Sequence, residues 1–311
     1  MKKKKVLYWV LGVAGFLVLC IGAYAFTLYT QVSKTVKEVN QPLDRDVSPK
    51  RNQPASLSDG KPISILMMGV DKRENDAGRS DSLMLVTLNP AKQSMITTSI
   101  PRDTYTEIVG KGTMDKINHA YAFGGPDMAV NTVENFLNVP VDYYVEVNME
   151  GFKDVVDAVG GIEVTNNFAF KSGAYTFNEG GLHLNGDQAL AYTRMRKEDP
   201  NGDFGRQARQ RQVMLGIVQK GANIGSLANL GAMLQAVGSH VRTNLTQQDM
   251  LSVVQHYKDC RLNADQDMIE GQGRMMNQIY YYMVSDAVRQ SYSDKLREHL
   301  SLGASKVAVK Q

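Results

Sequence analysis

Cysteine is nearly absent, with two copies, Cys20 and Cys260, in 311 residues. Cys20 falls inside a long apolar run near the N-terminus, so the folded part has no internal disulfide available and must build its core without one. Histidine is scarce too: five copies lie scattered, without metal-ligand spacing. No HExxH, CxxC or GxxxxGK[ST] pattern occurs, which leaves no motif for a zinc hydrolase, a thiol redox site or a nucleotide phosphate loop. No internal repeat is visible. The net charge of +3 gives no signal for nucleic acid, and no nucleic-acid partner is expected. Near absence of cysteine suits an exported bacterial protein, above all a Gram-positive surface protein.

The N-terminus says where the chain works. Lys2 to Lys5 precede an apolar run from Val6 to Tyr29, roughly 24 residues or about 36 Å as a helix, enough to span a bilayer. The lysines hold residues 1–5 in the cytoplasm and place the rest outside, so 6–29 is expected as an uncleaved anchor in a single-pass, type II arrangement. A cleaved signal peptide is the competitor, with Ala23-Tyr24-Ala25 as its small-residue site. Cys20 follows Leu19, which is too bulky for a lipoprotein signal, and the apolar run continues past it. Residues 30–61 carry prolines and charges without apolar periodicity and are expected as an extracellular stalk. One folded domain follows over 62–303, with a polar tail at 304–311.

Ile63 to Gly69, Ser82 to Leu88 and Ser94 to Ile100 are short apolar runs bounded by turn residues and predict three strands. Paired as antiparallel neighbours, they bring the end of the first, the start of the second and the end of the third to one sheet edge. Asp71, Arg79, Asp81 and Arg102 gather there. A strand over 141–147, a helix over 152–159 stopped by Gly160-Gly161 and a strand from Ile162 imply an α/β sandwich with helices covering the sheet. Gly186-Asp187 opens a short helix through Tyr192. Arg194 and Arg196 then share one side of an extended segment, with Met195 on the other. Asp203 is expected as the N-cap of a further helix, with Arg206 in its first turn and Gln210 one turn on. Tyr280-Tyr281-Tyr282 reads as a core strand.

The arginine-rich stretch from Arg194 to Arg211 sets the chemistry in question. Guanidiniums about 6 Å apart repel by roughly 3 kcal/mol at an effective dielectric near 20, so convergence calls for carboxylates or a dense anion. A planar guanidinium matches phosphate oxygens in bidentate fashion, and a helix N-terminus seats an anion. On the residues alone, Asp71 and Asp81 are either oxygen ligands for Mg²⁺ or loop aspartates that cap turns and pair with Arg79 and Arg102. Arg194, Arg196 and Arg206 either bind an anion or form a solvated face, and Arg209 and Arg211 are read as surface. Asp103 is read as fixing its turn through Thr104. Lys116 is a loop lysine within reach of the same edge. Phe168, Phe170, Tyr175 and Phe177 either line an acyl or prenyl groove or pack a core, and the core is favoured.

In order along the chain, Gly69-Val70-Asp71, Gly78-Arg79-Ser80-Asp81-Ser82, Ser99-Ile100-Pro101-Arg102-Asp103, Lys116-Ile117-Asn118-His119-Ala120-Tyr121, Tyr192-Thr193-Arg194-Met195-Arg196 and Asp203-Phe204-Gly205-Arg206 with Arg209-Gln210 resemble the LytR-CpsA-Psr family. The resemblance covers nearly the whole extracellular domain. It implies an α-β-α sandwich with a mixed central sheet, holding a polyprenyl pyrophosphate by its head group at the sheet edge and its tail in an apolar tunnel. By the same resemblance Asp71 and Asp81 surround Mg²⁺, or Mn²⁺ in its place. Arg79, Arg102, Arg194, Arg196 and Arg206 grip the pyrophosphate, with Asp203 and Gln210 beside them and Lys116 in support. Asp71, Asp81 and Arg102 are the candidate catalytic groups. The implied reaction moves an anionic glycopolymer, wall teichoic acid first among the candidates, from undecaprenyl pyrophosphate to the C6 hydroxyl of N-acetylmuramic acid in peptidoglycan. Two alternatives stay open: a lipid-pyrophosphate hydrolase, and a non-catalytic, membrane-anchored regulator that binds polyprenyl phosphate.

Overall fold

The computed structural model describes residue 30 and residues 33–71, 78–221 and 238–308. The apolar run over 6–29 lies outside these, and the anchor expected there with it. No helix among the described residues is long and apolar enough to cross a membrane.

The three predicted strands form β1 (Ile63–Asp71), β2 (Arg79–Asn89) and β3 (Ser94–Ile100). Each pairs antiparallel with the next, from Ile63 opposite Leu88 to Asp71 opposite Arg79, with a bulge at Gly69/Val70. β6 (Tyr143–Asn148) joins β1 in parallel, and β12 (Asn263–Met268) joins β3 in parallel. β11 (Val241–Thr243) closes the far side antiparallel to β6, giving the order β11-β6-β1-β2-β3-β12 and a mixed sheet.

Both faces of this sheet are covered, which is why its central strands read as continuous apolar runs rather than alternating ones. Leu66, Met68, Leu83 and Leu85 pack on one face against α1 (His119–Leu137) and α6 (Asp286–His299). Ile63, Ile65, Val86 and Leu88 pack on the other face against α4 (Asp203–Gly221) and α5 (Gln247–His256). The core of a layered α/β sandwich therefore sits on both sides of one mixed sheet. α1 is kinked at Gly124-Gly125, where Gly125 has φ +63, a left-handed conformation that favours glycine.

A second core surrounds α2 (Met149–Ala158), α3 (Gly186–Arg194), β7 (Ile162–Asn166) and β10 (Gly180–Leu184). The short hairpin of β8 (Phe170–Ser172) and β9 (Tyr175–Phe177) lies against it. Phe170 and Phe177 are buried there beside Tyr192, with centroids 5.5 and 5.4 Å away, and Phe168 and Tyr175 pack at its margin. These aromatics are core packing. Two further hairpins stand off the main sheet: β4 (Tyr105–Ile108) with β5 (Thr113–Lys116), and β13 (Gln272–Met276) with β14 (Ile279–Met283).

Two expectations change. The stretch expected as a stalk is docked on the domain from Val36 onward. Val36, Val39 and Leu57 are buried, and Asn40 bridges to Thr243. Arg45 pairs with Glu134 at 2.5 Å and Arg51 with Asp142 at 2.5 Å. Its charges mate with the domain, a pairing that polar composition cannot distinguish from solvation. The tail likewise folds back at its start: Val307 is buried, and Gln290 bonds to Ser305 and Val307.

Candidate functional site

The antiparallel β1-β2-β3 connectivity places Asp71, Arg79, Asp81 and Arg102 at one sheet edge. Asp71 and Arg79 face each other at the end of the ladder. Asp81, two residues into β2, takes Arg102 Nη1 at 3.1 Å and Asn118 Nδ2 at 3.3 Å on one oxygen. Arg102 follows Pro101 immediately after β3, and its Nε lies 3.7 Å from Asp103. The adjacent turn is held by the Thr104 hydroxyl donating to Pro101 O at 2.6 Å. Asp103 itself accepts from Lys116 Nζ at 2.7 Å, so it fixes a lysine rather than its own turn.

α4 supplies the opposite wall. Asp203 lies inside its first turn and not at the cap, because Gly202 before it is left-handed at φ +54 and its carbonyl accepts from Arg206 N. The Asp203 carboxylate instead pairs with Arg206 Nη2 at 2.8 Å, with Arg196 Nε at 3.9 Å. Gln210 accepts from the Ser82 hydroxyl at 3.2 Å. Between the two walls runs a closed slot, too tight to admit a water molecule, lined by Asp81, Ser82, Arg102, Arg206, Gln207 and Gln210 together with Leu83, Ser99 and Ile100.

The structure thus brings together Asp81, Arg102, Arg206, Asp203 and Gln210, with Lys116 joined through Asp103. Arg194 and Arg196 line a neighbouring open concavity of about 790 Å³ with Lys171, Lys197 and Asp203. They flank buried Met195 and are themselves exposed, but α3 runs on through Arg194, two residues beyond its expected end, so only Met195 and Arg196 are extended. Arg79 is exposed at the end of β2, on the rim rather than in the slot.

Charge in the slot is held under tension. Burial opposes the Arg102 charge, but Asp81, Asp203 and Asp103 outweigh it and raise its pKa. Burial wins at Arg206: its pKa is lowered despite Asp203 and Asp81, with Arg102 and Arg196 adding repulsion. Arg206 Nε and Gln207 Oε1 are buried without a hydrogen-bond partner, as is Arg211 Nε further along. Orphaned buried guanidinium donors cost free energy until something accepts from them. A phosphate oxygen fits that demand.

The same residues fit a divalent metal less completely. Among the described residues no cluster of three His, Cys, Asp or Glu side chains could hold one. Asp71 and Asp81 stand at one edge with the buried Asn118 Oδ1 unbonded. Mg²⁺ accepts one or two carboxylates when substrate phosphates and water complete its shell, so the donor set suits an ion that arrives with an anionic substrate.

Two arginines read as surface are not. Arg209 is buried, pairs with Asp199 at 2.5 Å and donates to the carbonyls of Tyr192 and Met195. Arg211 is half-buried and donates to the Ser99 hydroxyl at 3.0 Å. Asn118, Gln207 and Arg211 were missed as site neighbours. The signal for the last two was present: Asp203, Gln207 and Arg211 recur every four residues, one stripe of a helix.

The LytR_cpsA_psr family model matches residues 26–298. A polyisoprenyl-teichoic acid–peptidoglycan teichoic acid transferase, TagU, of Bacillus anthracis is 57% identical over 301 residues, covering 96% of this chain and 99% of its own. The crystal structure of B. subtilis TagU is 50% identical with a TM-score of 0.63, covering 77% of this chain and 97% of its own. A structure of TagT bound to LIIa-WTA is 31% identical with a TM-score of 0.73, covering 85% and 100%.

Proposed function

This chain belongs to the LytR-CpsA-Psr family, and from that premise we propose that it is a transferase of substituted phosphate groups acting outside the cytoplasm. It moves an anionic glycopolymer, wall teichoic acid, from undecaprenyl pyrophosphate to the C6 hydroxyl of N-acetylmuramic acid in peptidoglycan. The observation that carries this reading is the slot where Arg102 and Arg206 converge between Asp81 and Asp203, with Arg206 Nε buried and unbonded. The TagU and TagT relatives, by their names, handle such donors.

The muramic acid oxygen attacks the phosphorus that carries the polymer. A new P–O bond forms, the bridging P–O–P bond breaks, and undecaprenyl phosphate leaves with the electron pair. The hydroxyl proton passes to a carboxylate at the edge, Asp71 or Asp81. Arg102 and Arg206 face the pyrophosphate oxygens on which charge builds, and Arg196, Arg194 and Arg79 steer the donor around the rim. In phosphoryl transfer such positioning and neutralisation supply most of the catalysis. Mg²⁺ or Mn²⁺ held by Asp71 and Asp81 would add charge neutralisation when bound. An external site has no ATP to draw on, and a lipid pyrophosphate carries its own activation. The reading includes a single-pass anchor over 6–29 that places the domain at the outer face of the cell membrane.

The test is transfer by purified protein supplied with lipid-linked donor and a peptidoglycan oligomer. Polymer joined to the oligomer, with undecaprenyl phosphate released, is expected. Free polymer without conjugate would replace transferase with hydrolase, and donor bound without turnover would leave a binding protein.

A further inference from the structure

The β13-β14 hairpin ends in the apolar side chains Met275, Met276 and Ile279, with Tyr280 behind them, near enough to Asp103, Asp203 and Arg196 to feel their charges. Its two-residue turn has Asn277 at φ 49 and Gln278 at φ 64, the left-handed pair of a tight hairpin turn. Met276 faces Ile279 and Met275 faces Tyr280 across the ladder. Paired residues share a face and successive pairs alternate, so the tip is apolar on both faces. A hairpin lying on a protein surface would keep one polar face toward water. Met275 is 63% exposed, Ile279 48% and Tyr280 44%. Behind the tip come Arg274 opposite Tyr281. Apolar tip, then tyrosines and an arginine, is the order of groups that suits a membrane–water boundary.

The root of the hairpin is fixed. Tyr282 N donates to Asp103 O at 2.8 Å, Tyr281 stacks edge-on to Tyr105 at 5.0 Å, and Phe204, itself exposed, lies 5.8 Å from Tyr282. The hairpin follows β12, which ends level with Ser99 near the end of β3. It therefore rises from the slot's end of the sheet, on the β12 side.

The N-terminal chain meets the sheet at the edge opposite β12, on β11. Asn40 bridges Thr243 in parallel. β11 runs antiparallel to β6, and β6 runs parallel to β1, toward the slot. The chain comes to Asn40 through a helix over 33–39, with the apolar run over 6–29 a short way before it in sequence.

We infer that the Met275–Ile279 tip inserts into the boundary of the bilayer, as a second contact beside the N-terminal anchor. The tip stands at the slot's end of the sheet and holds the slot against the surface from which a lipid-linked donor arrives. The inference rests on the membrane-anchored reading above, and the tip's partner is the lipid surface.

The experiment uses the full chain with Cys20→Ala and Met275→Cys, labelled with an environment-sensitive fluorophore, in vesicles of phosphatidylglycerol and phosphatidylethanolamine. Cys260 is buried and stays unlabelled. A Lys92→Cys probe, exposed in the turn between β2 and β3 at the far end of the sheet, is the reference. The Met275→Cys probe should be quenched by lipid-borne nitroxides near the head groups and at least threefold less by aqueous iodide than the reference. Equal iodide quenching at both positions would overturn the inference. Shielding from iodide without nitroxide quenching would also overturn it, because a second copy or another protein then covers the tip. Failure of the chain to float with the vesicles would remove the anchor as well, an outcome separable from a floating chain whose hairpin stays in water.

Discussion

Arg206 and Arg209 are three residues apart on α4 and have opposite work. Arg206 faces the slot, where burial has lowered its pKa and left Nε unbonded. Arg209 turns inward to Asp199, with side chains 7% and 2% exposed. Removing one member of a buried pair leaves an uncompensated charge, so Arg209→Met should lower stability by about 3–5 kcal/mol in urea denaturation. Arg102→Ala should do the reverse. Its pair with Asp81 is partly solvated, so unfolding should shift by less than about 1 kcal/mol, while transfer falls at least a hundredfold, about 3 kcal/mol in the transition state. Equal loss of fold in both variants would sink this division of labour. Gly205 belongs with Arg209: a Cβ there would collide with the Asp199 carboxylate, and that carboxylate cannot swing away without abandoning its arginine. Gly205→Ala should therefore cost about 1–3 kcal/mol of stability. None of this was legible in the sequence, because the partner that decides Arg209 is supplied by the loop before the helix. What was legible is the edge that gathers Asp71, Arg79, Asp81 and Arg102, since antiparallel connectivity alone dictates it.

At the scale of elements, β1, β2 and β3 could be read because strands buried on both faces leave apolar runs bounded by turns. The three- and four-residue strands β4, β5, β8 and β9 are too short to carry any period. The tyrosine strand is mixed for a related reason: Tyr282 is buried at the hairpin root and Tyr280 exposed near its tip, so one aromatic run crosses from core to surface. One junction between elements makes stability depend on pH. His299, in the last turn of α6, is buried with Thr87 and Ser94 hydroxyls each 2.8 Å from its ring nitrogens. Burial pushes its pKa down to about 4, with Lys92 adding to the effect. The unfolded chain would titrate near 6.5, so below that pH it takes up a proton that the folded protein refuses. The native state is then fully favoured above about pH 6.5 and loses up to about 3 kcal/mol as pH falls toward 4. Urea midpoints measured from pH 7 to 4 should fall less steeply in His299→Gln than in the parent. Parallel slopes would show that His299 is not the group responsible.

For the whole molecule, the docked segment changes what the domain can reach. As a free spacer, residues 40–61 could extend roughly 70 Å; folded back on the domain, they no longer serve as spacer length. Glu134 on α1 is the point of attachment. It is buried and accepts from Arg45 at 2.5 Å, the Ser48 hydroxyl at 2.5 Å and Val141 N at 2.7 Å. Glu134→Ala strands a buried donor and a cation at once and should cost about 3 kcal/mol. It should also make residues 40–61 open to limited proteolysis while the β1-β2-β3 core still resists. A domain begun at Ile63 should be less stable than one begun at Ser33, because Arg51 would no longer cover Asp142, which also accepts from Ser64 N at 2.9 Å. If the two unfold at the same urea concentration, the segment is a tether after all, and the slot regains the reach that its docking removes.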